Sequence, residues 1–411
     1  MNQGELIPHL FRTEFSKLTA VLCKQFGLEH METAEDIVSD TFLAALETWT
    51  YKGIPENPAA WLYTVAKNKT KNKIKRDGVF KEKLIRTINP GMSADNEFDI
   101  DLSDQNFKDS QLQMLFAVCH PALQGEAQIG LALRILCGFS IEEIAGAFLT
   151  NKETINKRLF RAKEKLRQEK IAIILPPEEE IDKRLDNVLT TIYLLYNEGY
   201  YSETNDNVMR EDLCAEAMRL ATLLLENEKT NRPKVNALLS LMCFQSSRFA
   251  ARRNEQGQSF LLYHDQDELK WNQDLIAQGA YYLKLSAQGE ELSKYHLEAS
   301  IAYWHTIKAD TNEKWESILQ LYNQLLQIEY SPIAALNRTW ALSKANSKEE
   351  AIKEAEKLKL TNNHFYYTLL GELYKDIDAK KAISHFEKAF VLAKTENDKR
   401  TIQTKLKDLS H

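Results

Sequence analysis

The fold of this chain is decided by residues 140–163, which read SIEEIAGAFLTNKETINKRLFRAK. Ser140 with Glu143 three positions later forms a capping-box pattern, in which each side chain bonds a backbone N–H of the first helical turn. Asn151 is a suitable N-cap for a second helix, whose inner face would carry Ile155 and the apolar residues that follow it at helical spacing. We therefore predict two helices joined by a turn of about three or four residues, the second one basic, which is the pattern of a DNA-binding helix-turn-helix.

The second helix of this pair carries the candidate contacts to duplex DNA. A recognition helix presents its outward residues to base edges and its flanking cations to phosphates. Arg can read guanine through two hydrogen bonds, and Asn can read adenine in the same way. The alternative is a helical hairpin whose exposed face is merely charged. The outward residues that we predict to contact DNA are Lys152, Thr154, Asn156, Lys157, Arg158 and Arg161.

A second basic segment begins at Asn57-Pro58, where Asn suits the N-cap and Pro suits the first helical position. Residues 61–76 contain six basic side chains and no acidic one. Such a helix can follow a phosphate backbone, and aromatic residues beside it can stack on an unpaired base. The alternative is that the tryptophan is core and the lysines are only solvated. The candidate contacts are Trp61, Tyr63, Lys67, Asn68, Lys71, Lys75 and Arg76.

Composition indicates a helical protein with several domains. The 411 residues suggest two or three domains at roughly 150 residues each, and only 14 Gly and 9 Pro argue against the many turns of an all-β fold. Five scattered cysteines exclude a disulfide scaffold and a zinc ribbon. The amino terminus shows no signal-peptide pattern, and the apolar runs are too short to span a bilayer. We predict an all-α, cytoplasmic protein with no membrane partner.

The net charge of −6 conceals an uneven distribution. Residues 1–175 carry 23 basic and 23 acidic side chains, so the whole deficit lies in residues 176–411. Between the two basic segments, residues 89–111 hold six acidic side chains against one lysine. Blocks of charge, rather than the net value, decide whether a chain can bind a polyanion.

No constellation of side chains indicates catalysis. Asp36 and Asp40 are one helical turn apart and lack a third ligand in register for a cation. His120 follows Cys119 without an evident orienting partner. Helix caps and loop hydrogen bonds explain the polar clusters at residues 197–200 and 265–267. We predict no enzyme activity, no metal and no cofactor.

Amphipathic helices with few helix-breaking residues follow Pro176-Pro177 and continue to the end of the chain. The large, small and aromatic residues of the segment 367–389 lie close to tetratricopeptide spacing, with a turn one residue short. A weaker copy spans residues 332–355. The pattern predicts stacked helical hairpins without a countable repeat.

The amino-terminal motifs together resemble a known family. Residues 34–45, AEDIVSDTFLAA, resemble region 2 of an extracytoplasmic-function (group 4) sigma factor of bacterial RNA polymerase. Residues 58–68, PAAWLYTVAKN, are similar to the part of region 2 that captures and melts the −10 element, and the helix-turn-helix is similar to region 4, which reads the −35 element. Leu149 stands in the turn where many relatives have Gly. The resemblance implies promoter DNA and core RNA polymerase as partners, at the clamp helices of the largest subunit and the flap region, and it assigns to the polymerase contact Asp36, Asp40, Phe42 and Leu43.

The carboxyl-terminal part resembles the long extension of one sigma subgroup, on the motifs at residues 196–200, 212–217, 265–267 and 335–338. That extension is described as helical and tetratricopeptide-like, and it is thought to replace a separate anti-sigma factor. The resemblance implies that it modulates activity and binds a protein or a small ligand. Its acidity would allow it to cover the basic faces, and a positive, required role is the alternative that we favour.

The predicted organisation is sigma region 2 in residues 1–78, an acidic linker in 79–110, region 4 in 111–175 and the helical extension in 180–411. The predicted function is promoter recognition as a polymerase subunit. Two other classes stay open: a DNA-binding regulator that does not join polymerase, and a helical-repeat scaffold for protein interactions.

Overall fold

The structure is a computed structural model that describes residues 3–76, 100–148, 150–200, 210–252, 263 and 266–410. The described residues form helices joined by turns and loops and contain no strand, which confirms the all-α prediction. The chain divides into two compact units, one ending at Leu195 and the other beginning at Tyr196. No helix in the described ranges is long and apolar enough to cross a membrane.

The described part of the first unit contains eight α-helices, the last of which runs past the boundary of the unit. A 3-10 turn (Leu28–His30) precedes the second helix and a π-helical turn (Ala132–Leu136) follows the fifth. The helices are α1 (Gln3–Phe26), α2 (Met31–Lys52), α3 (Pro58–Arg76), α4 (Asp104–Val118), α5 (Gly125–Leu131), α6 (Ile141–Ala147), α7 (Lys152–Gln168) and α8 (Glu178–Tyr200).

The predicted helix caps are present at three starts. The Asn57 side chain accepts from Ala60 N at the start of α3. Ser140 and Glu143 form the reciprocal capping box of α6. The Asn151 side chain accepts from Thr154 N at the start of α7. Thr33 and Asp36 also have the spacing of a capping box, which predicts a helix start at Thr33; this prediction is wrong, because α2 begins at Met31 and Thr33 lies within it. The turn residue Leu149 lies outside the described residues.

The predicted acidic linker differs from the structure at its carboxyl end. Residues 77–99 lie outside the described part. Residues 104–110 are not linker but the first turns of α4, because Ser103 caps that helix and Phe107 is buried. The buried side chain of Phe107 anchors these turns. The apolar periodicity of the sequence did not reveal it, because acidic residues surround it.

The first unit also continues past the boundary predicted at Pro176-Pro177. Helix α8 buries an apolar face there, and Arg184 donates to the backbone oxygen of Phe116 at 2.8 Å. The Thr191 hydroxyl donates to the Gln128 side chain at 2.9 Å. The first part of α8 therefore packs against the helices before it. The functional assignment of the four ranges predicted from the sequence remains a prediction.

The second unit is a succession of antiparallel helical neighbours. A 3-10 turn (Glu268–Lys270) precedes its fourth helix. The helices are α9 (Glu211–Leu225), α10 (Pro233–Ser246), α11 (Phe249–Arg252), α12 (Gln273–Ser286), α13 (Lys294–Trp304), α14 (Asn312–Ile328), α15 (Pro332–Ala345), α16 (Lys348–Leu358), α17 (His364–Tyr374), α18 (Ala379–Leu392) and α19 (Glu396–Ser410).

Two helix pairs of this unit pack a glycine against a phenylalanine ring. A Cβ atom on Gly279 would lie 2.7 Å from the ring of Phe244, and one on Gly371 would lie 2.7 Å from the ring of Phe386. Real Cβ contacts do not come so close, so the close approach of these helices requires glycine. Large residues packed on small ones are what the hairpin pattern predicted, and the tetratricopeptide-like label stays a prediction.

Candidate nucleic-acid interface

The recognition-helix residues lie on the outward face of α7. The inner face buries Ile155, Leu159 and Ala162. Two of the predicted contacts are held by exposed ion pairs: Lys152 to Glu142 at 2.6 Å, and Lys157 to Glu153 at 2.6 Å. Such exposed pairs contribute little to stability, so these cations remain available to phosphates. The exposed members of the predicted set are Lys152, Thr154, Asn156, Lys157 and Arg161.

Arg158 differs from the other members because it is half-buried. Its guanidinium lies 2.7 Å from the Glu126 carboxylate, and its Cζ lies 5.4 Å from the centre of the Phe148 ring. These contacts join α7 to α5 and to the end of α6. The arginine is thus held in one orientation, which suits a side chain that reads a base edge, once Glu126 releases it.

Phe160 was missed by the sequence reasoning. Its side chain is 58% exposed on the outward face of α7, one turn after Asn156. Aromatic and methyl-bearing side chains contact the thymine methyl in the major groove. The sequence signal for Phe160 is its position four residues after Asn156, which places both side chains on one face of the helix.

The basic helix α3 carries its predicted contacts in two environments. Trp61 is half-buried, and its ring lies edge-on to Trp49 at 5.3 Å between centroids. The Tyr63 hydroxyl donates to the Glu14 carboxylate at 2.5 Å, and its ring lies 5.0 Å from that of Phe107. Burial, and then the bond to Glu14, raise the pKa of Tyr63 above its usual range. Tyr63 is therefore bound to α1 and α4, whereas Trp61 keeps part of its ring accessible.

The cations of α3 form a surface that becomes more exposed along the helix. Leu62, Ala66, Thr70 and Ile74 are buried on the opposite side. Lysine side chains can lay their apolar stems on the domain and extend the ammonium into solvent. The half-buried members of the predicted set are Lys67 and Lys71, and the exposed members are Asn68, Lys75 and Arg76.

The predicted polymerase contacts all lie on α2, and all except Phe42 are exposed. Asp36 and Asp40 are exposed, and Leu43 is 55% exposed. Phe42 is only 4% exposed, and its ring lies 5.0 Å from that of Phe11. Phe42 is therefore a core residue here, as its place in the apolar stripe of α2 requires.

Two further residues extend this exposed face of α2. Leu46 is 45% exposed, and Glu47 is also exposed. Their positions continue the helical spacing of the predicted contacts. We call this surface the α2 stripe; it consists of Asp36, Asp40, Leu43, Leu46 and Glu47. Exposed leucines bordered by carboxylates are typical of a surface that binds another protein.

A buried charge cluster joins α2 to the π-helical turn and to α7. The Glu35 carboxylate on α2 lies 3.1 Å from Arg134 Nε in the π-helical turn and 2.5 Å from Lys163 Nζ on α7. Glu32 and Arg167 add a pair at 3.3 Å beside it. The sequence did not reveal this cluster, because a contact between distant segments leaves no local pattern.

The remaining polar motifs show no catalytic arrangement in the described residues. No group of three or more His, Cys, Asp and Glu side chains there is placed to hold a metal ion. Cys119 is buried, which raises the pKa of its thiol to about 12 and keeps it protonated. Of the polar clusters, residues 197–200 end α8, Asp267 caps a 3-10 turn, and Asp265 lies outside the described residues.

Comparison with known proteins agrees with this arrangement. Residues 11–79 match the Sigma-70 region 2 family, and residues 184–287 match a family of unknown function, DUF6596. The chain is 32% identical over 390 residues to "Uncharacterized protein R00370" of Rhizobium meliloti (strain 1021), an alignment that covers 93% of this chain and 91% of that protein. No solved structure matches the chain.

The helices α1 to α3 thus form a sigma-70 region 2 domain, which places the protein in the class of sigma-factor-like proteins. The chain belongs, over nearly its whole length, to the same family as the Rhizobium protein.

Proposed function

We propose that this protein is a sigma factor of the extracytoplasmic-function (group 4) type, which joins core RNA polymerase and directs it to promoters. In this proposal α3 captures and melts the −10 element, and α7 reads the −35 element as region 4. The carboxyl-terminal unit is the tetratricopeptide-like extension of one sigma subgroup. The protein acts in the cytoplasm and has no catalytic centre of its own.

The α2 stripe is the observation that carries the proposal. A regulator that only bound DNA would need no exposed Leu43 and Leu46 between the carboxylates of Asp40 and Glu47. This stripe lies in the segment that matches sigma-70 region 2. Apolar side chains bordered by acids suit a basic and apolar partner surface, and we assign them to the clamp helices of the largest polymerase subunit.

DNA melting by α3 follows from the partly accessible ring of Trp61 beside the cations of the helix. Unstacking a base costs a few kcal/mol, and stacking of the flipped base on an aromatic side chain contributes about 1–3 kcal/mol in return. The cations at Lys71 and Lys75 would follow the backbone of the displaced strand. Tyr63 supports this surface through its bond to Glu14.

The arrangement of the first unit is, in this proposal, a closed state. A compact unit of this length has a radius of gyration of about 16 Å, which corresponds to a diameter of about 40 Å. Promoter elements two helical turns apart lie about 70 Å from each other. The two DNA-binding segments must therefore separate before both can bind, and the Glu35 cluster is the contact that separation breaks.

The extension modulates the transition between the closed and open states in this proposal. We favour a required, positive role, and masking of the DNA-binding faces is the alternative. Because the first part of α8 packs against the helices before it, a truncation that separates these roles should end at Leu195 and not at Pro176. Loss of transcription in that truncated chain supports the positive role, and increased transcription supports masking.

Substitution within the α2 stripe tests the polymerase contact. Leu43→Glu should abolish co-elution of the full chain with core polymerase, while its affinity for duplex DNA stays within about twofold of that of the original chain. Leu269→Glu is the matched control, because Leu269 is 90% exposed in the other unit. If Leu43→Glu and Leu269→Glu bind core equally well, the stripe does not contact polymerase.

A DNA-binding regulator that does not join polymerase is the second candidate function. The observation that favours it is the helix-turn-helix with its restrained Arg158, which such a regulator would use unchanged. Binding to duplex DNA without any binding to core polymerase would establish this alternative.

A further inference from the structure

A cluster of cations and aromatic rings lies in the second unit, away from the surfaces that the proposed function uses. The ring of Tyr263 is at its centre. The centres or charged atoms of five side chains lie within about 6 Å of that ring. They are Arg248 Cζ at 5.6 Å, Lys308 Nζ at 5.4 Å, Lys314 Nζ at 4.9 Å, the His305 ring at 5.2 Å and the Trp271 ring at 6.2 Å.

Among the described residues, the charge of this cluster that lacks a carboxylate partner is carried by Arg248 and Lys314. Lys314 is only 1% exposed, and it donates to the Tyr263 hydroxyl at 3.0 Å and to the backbone oxygen of Ile307 at 2.6 Å. Within the described ranges, neither Arg248 nor Lys314 has a carboxylate at ion-pair distance. The nearby Asp310 is bound instead by Trp315 and by Lys344.

Three nitrogen atoms of the cluster make no hydrogen bond. They are Nε of Arg248, Nε1 of Trp271 and Nδ1 of His305, and each atom is buried. Trp271 itself is only 5% exposed. A buried N–H without a partner is costly, and several at one place indicate a bound group that completes the site.

Burial, together with the charges of Arg248 and Lys314, lowers the pKa of His305 to about 3. Burial also lowers the pKa of Lys314, and the charges of Arg248 and Lys308 act in the same direction. A negative charge placed among these groups would oppose each of these effects.

We propose that this cluster is a binding site for a phosphate group, either free phosphate or the phosphate of a small aromatic ester. Arg248 and Trp271 would donate to its oxygens, and Lys308 and Lys314 would neutralise its charge. Guanidinium and indole N–H groups match the acceptors of a phosphate, and the half-buried ring of Tyr263 offers a surface for an attached aromatic group. We call this the Tyr263 site.

Calorimetric titration of the full chain tests the site. The probes are inorganic phosphate, phenyl phosphate and acetate, at an ionic strength held constant with chloride. We expect one phosphate per chain, and Arg248→Gln should weaken its binding by at least about tenfold. Arg248 is half-exposed, so this variant should fold, and Lys270→Gln, an exposed residue of the neighbouring 3-10 turn, should bind phosphate unchanged. Tighter binding of phenyl phosphate would identify an ester as the natural ligand, and equal binding would identify free phosphate.

Two results would overturn the proposal. One is that phosphate gives no more heat than acetate or chloride, or that Arg248→Gln binds it as well as the original chain does. The other concerns Asp265, which lies outside the described residues. If phosphate binds only after Asp265→Asn is introduced, the chain supplies its own counter-charge and the site holds no ligand. Neither result bears on polymerase binding, which the Leu43→Glu experiment measures separately.

Discussion

The carboxylate of Glu35 lies 2.5 Å from the ammonium of Lys163, so a residue of the sigma-70 region 2 domain forms a buried ion pair with α7, the second helix of the helix-turn-helix. Arg134 completes the cluster at 3.1 Å. The side chains of Glu35 and Lys163 are 10% and 11% exposed. A pair buried to this degree costs desolvation when it forms, and it holds two segments in one relative position as long as both partners are charged.

Glu35→Gln should destabilise the closed first unit. The variant leaves Lys163 and Arg134 buried without a carboxylate, and loss of one partner from a buried pair costs about 3 kcal/mol. We expect a lower unfolding midpoint in urea and, because the closed state is weakened, tighter binding to a fragment that carries both promoter elements. Glu47→Gln on the exposed face of the same helix is the control. Unchanged stability and unchanged DNA binding in Glu35→Gln would show that the Glu35 cluster does not hold the closed state.

Arg158→Ala should relax preference at one base position of the −35 element. A bidentate contact to a base is worth about 1–3 kcal/mol of discrimination. Lys157→Ala should instead weaken all sequences alike and reduce the slope of log affinity against log salt by about one. Binding to a set of fragments, each altered at a single base pair, measures both effects. The role of Arg158 is wrong if both variants weaken every fragment equally.

Gly371→Ala should destabilise the second unit by about 1–3 kcal/mol, because its Cβ would overlap the ring of Phe386. Gly146→Ala in α6 is the matched control, since a Cβ there meets nothing within 4 Å. Alanine favours a helix over glycine by about 0.5–1 kcal/mol, so this control should be neutral or slightly stabilising. Thermal unfolding of the two variants decides the point, and equal midpoints would count against the packing.

His305 should make the second unit less stable in acid. The unfolded chain takes up a proton on this histidine near pH 6.5, whereas the folded protein, with a pKa of about 3, does not. Stability therefore falls as the pH decreases from 6.5 towards 3, by about 1.4 kcal/mol for each pH unit. Between pH 7 and pH 5 we expect His305→Gln to lose about 2 kcal/mol less than the original chain. Urea unfolding at both pH values measures this difference, and equal losses would mean that His305 is not kept neutral.

Local signals in the sequence predicted much of the first unit. Caps at Asn57, Ser140 and Asn151 lie beside the backbone groups that they bind, so short motifs are sufficient to find them. In the sequence of α2, apolar residues recur at helical spacing and predict a buried face, and all of them are buried: Ile37, Val38, Phe42, Ala45 and Trp49. That same periodicity placed Phe42 in the core, and its assignment to the polymerase surface through family resemblance alone went against this physical signal.

Contacts between distant segments could not be predicted in the same way. The Glu35 cluster joins three elements far apart in the chain, and the Tyr263 site collects side chains from several more. Each residue taken by itself reads as an ordinary charged or aromatic side chain. Only the folded packing shows that Glu35 is buried between two cations, and that Arg248 and Lys314 have no carboxylate at ion-pair distance among the described residues.

Reconstituted transcription tests the central claim most directly. Purified core polymerase is combined with the full chain and a library of linear genomic fragments, and the transcripts are sequenced. We predict discrete transcript starts that need both components, share −10 and −35 motifs about two helical turns apart, and are lost with Leu43→Glu but kept with Leu269→Glu. Salt-dependent binding to the same fragments, with no transcript and no association with core polymerase, would contradict the assignment as a sigma factor.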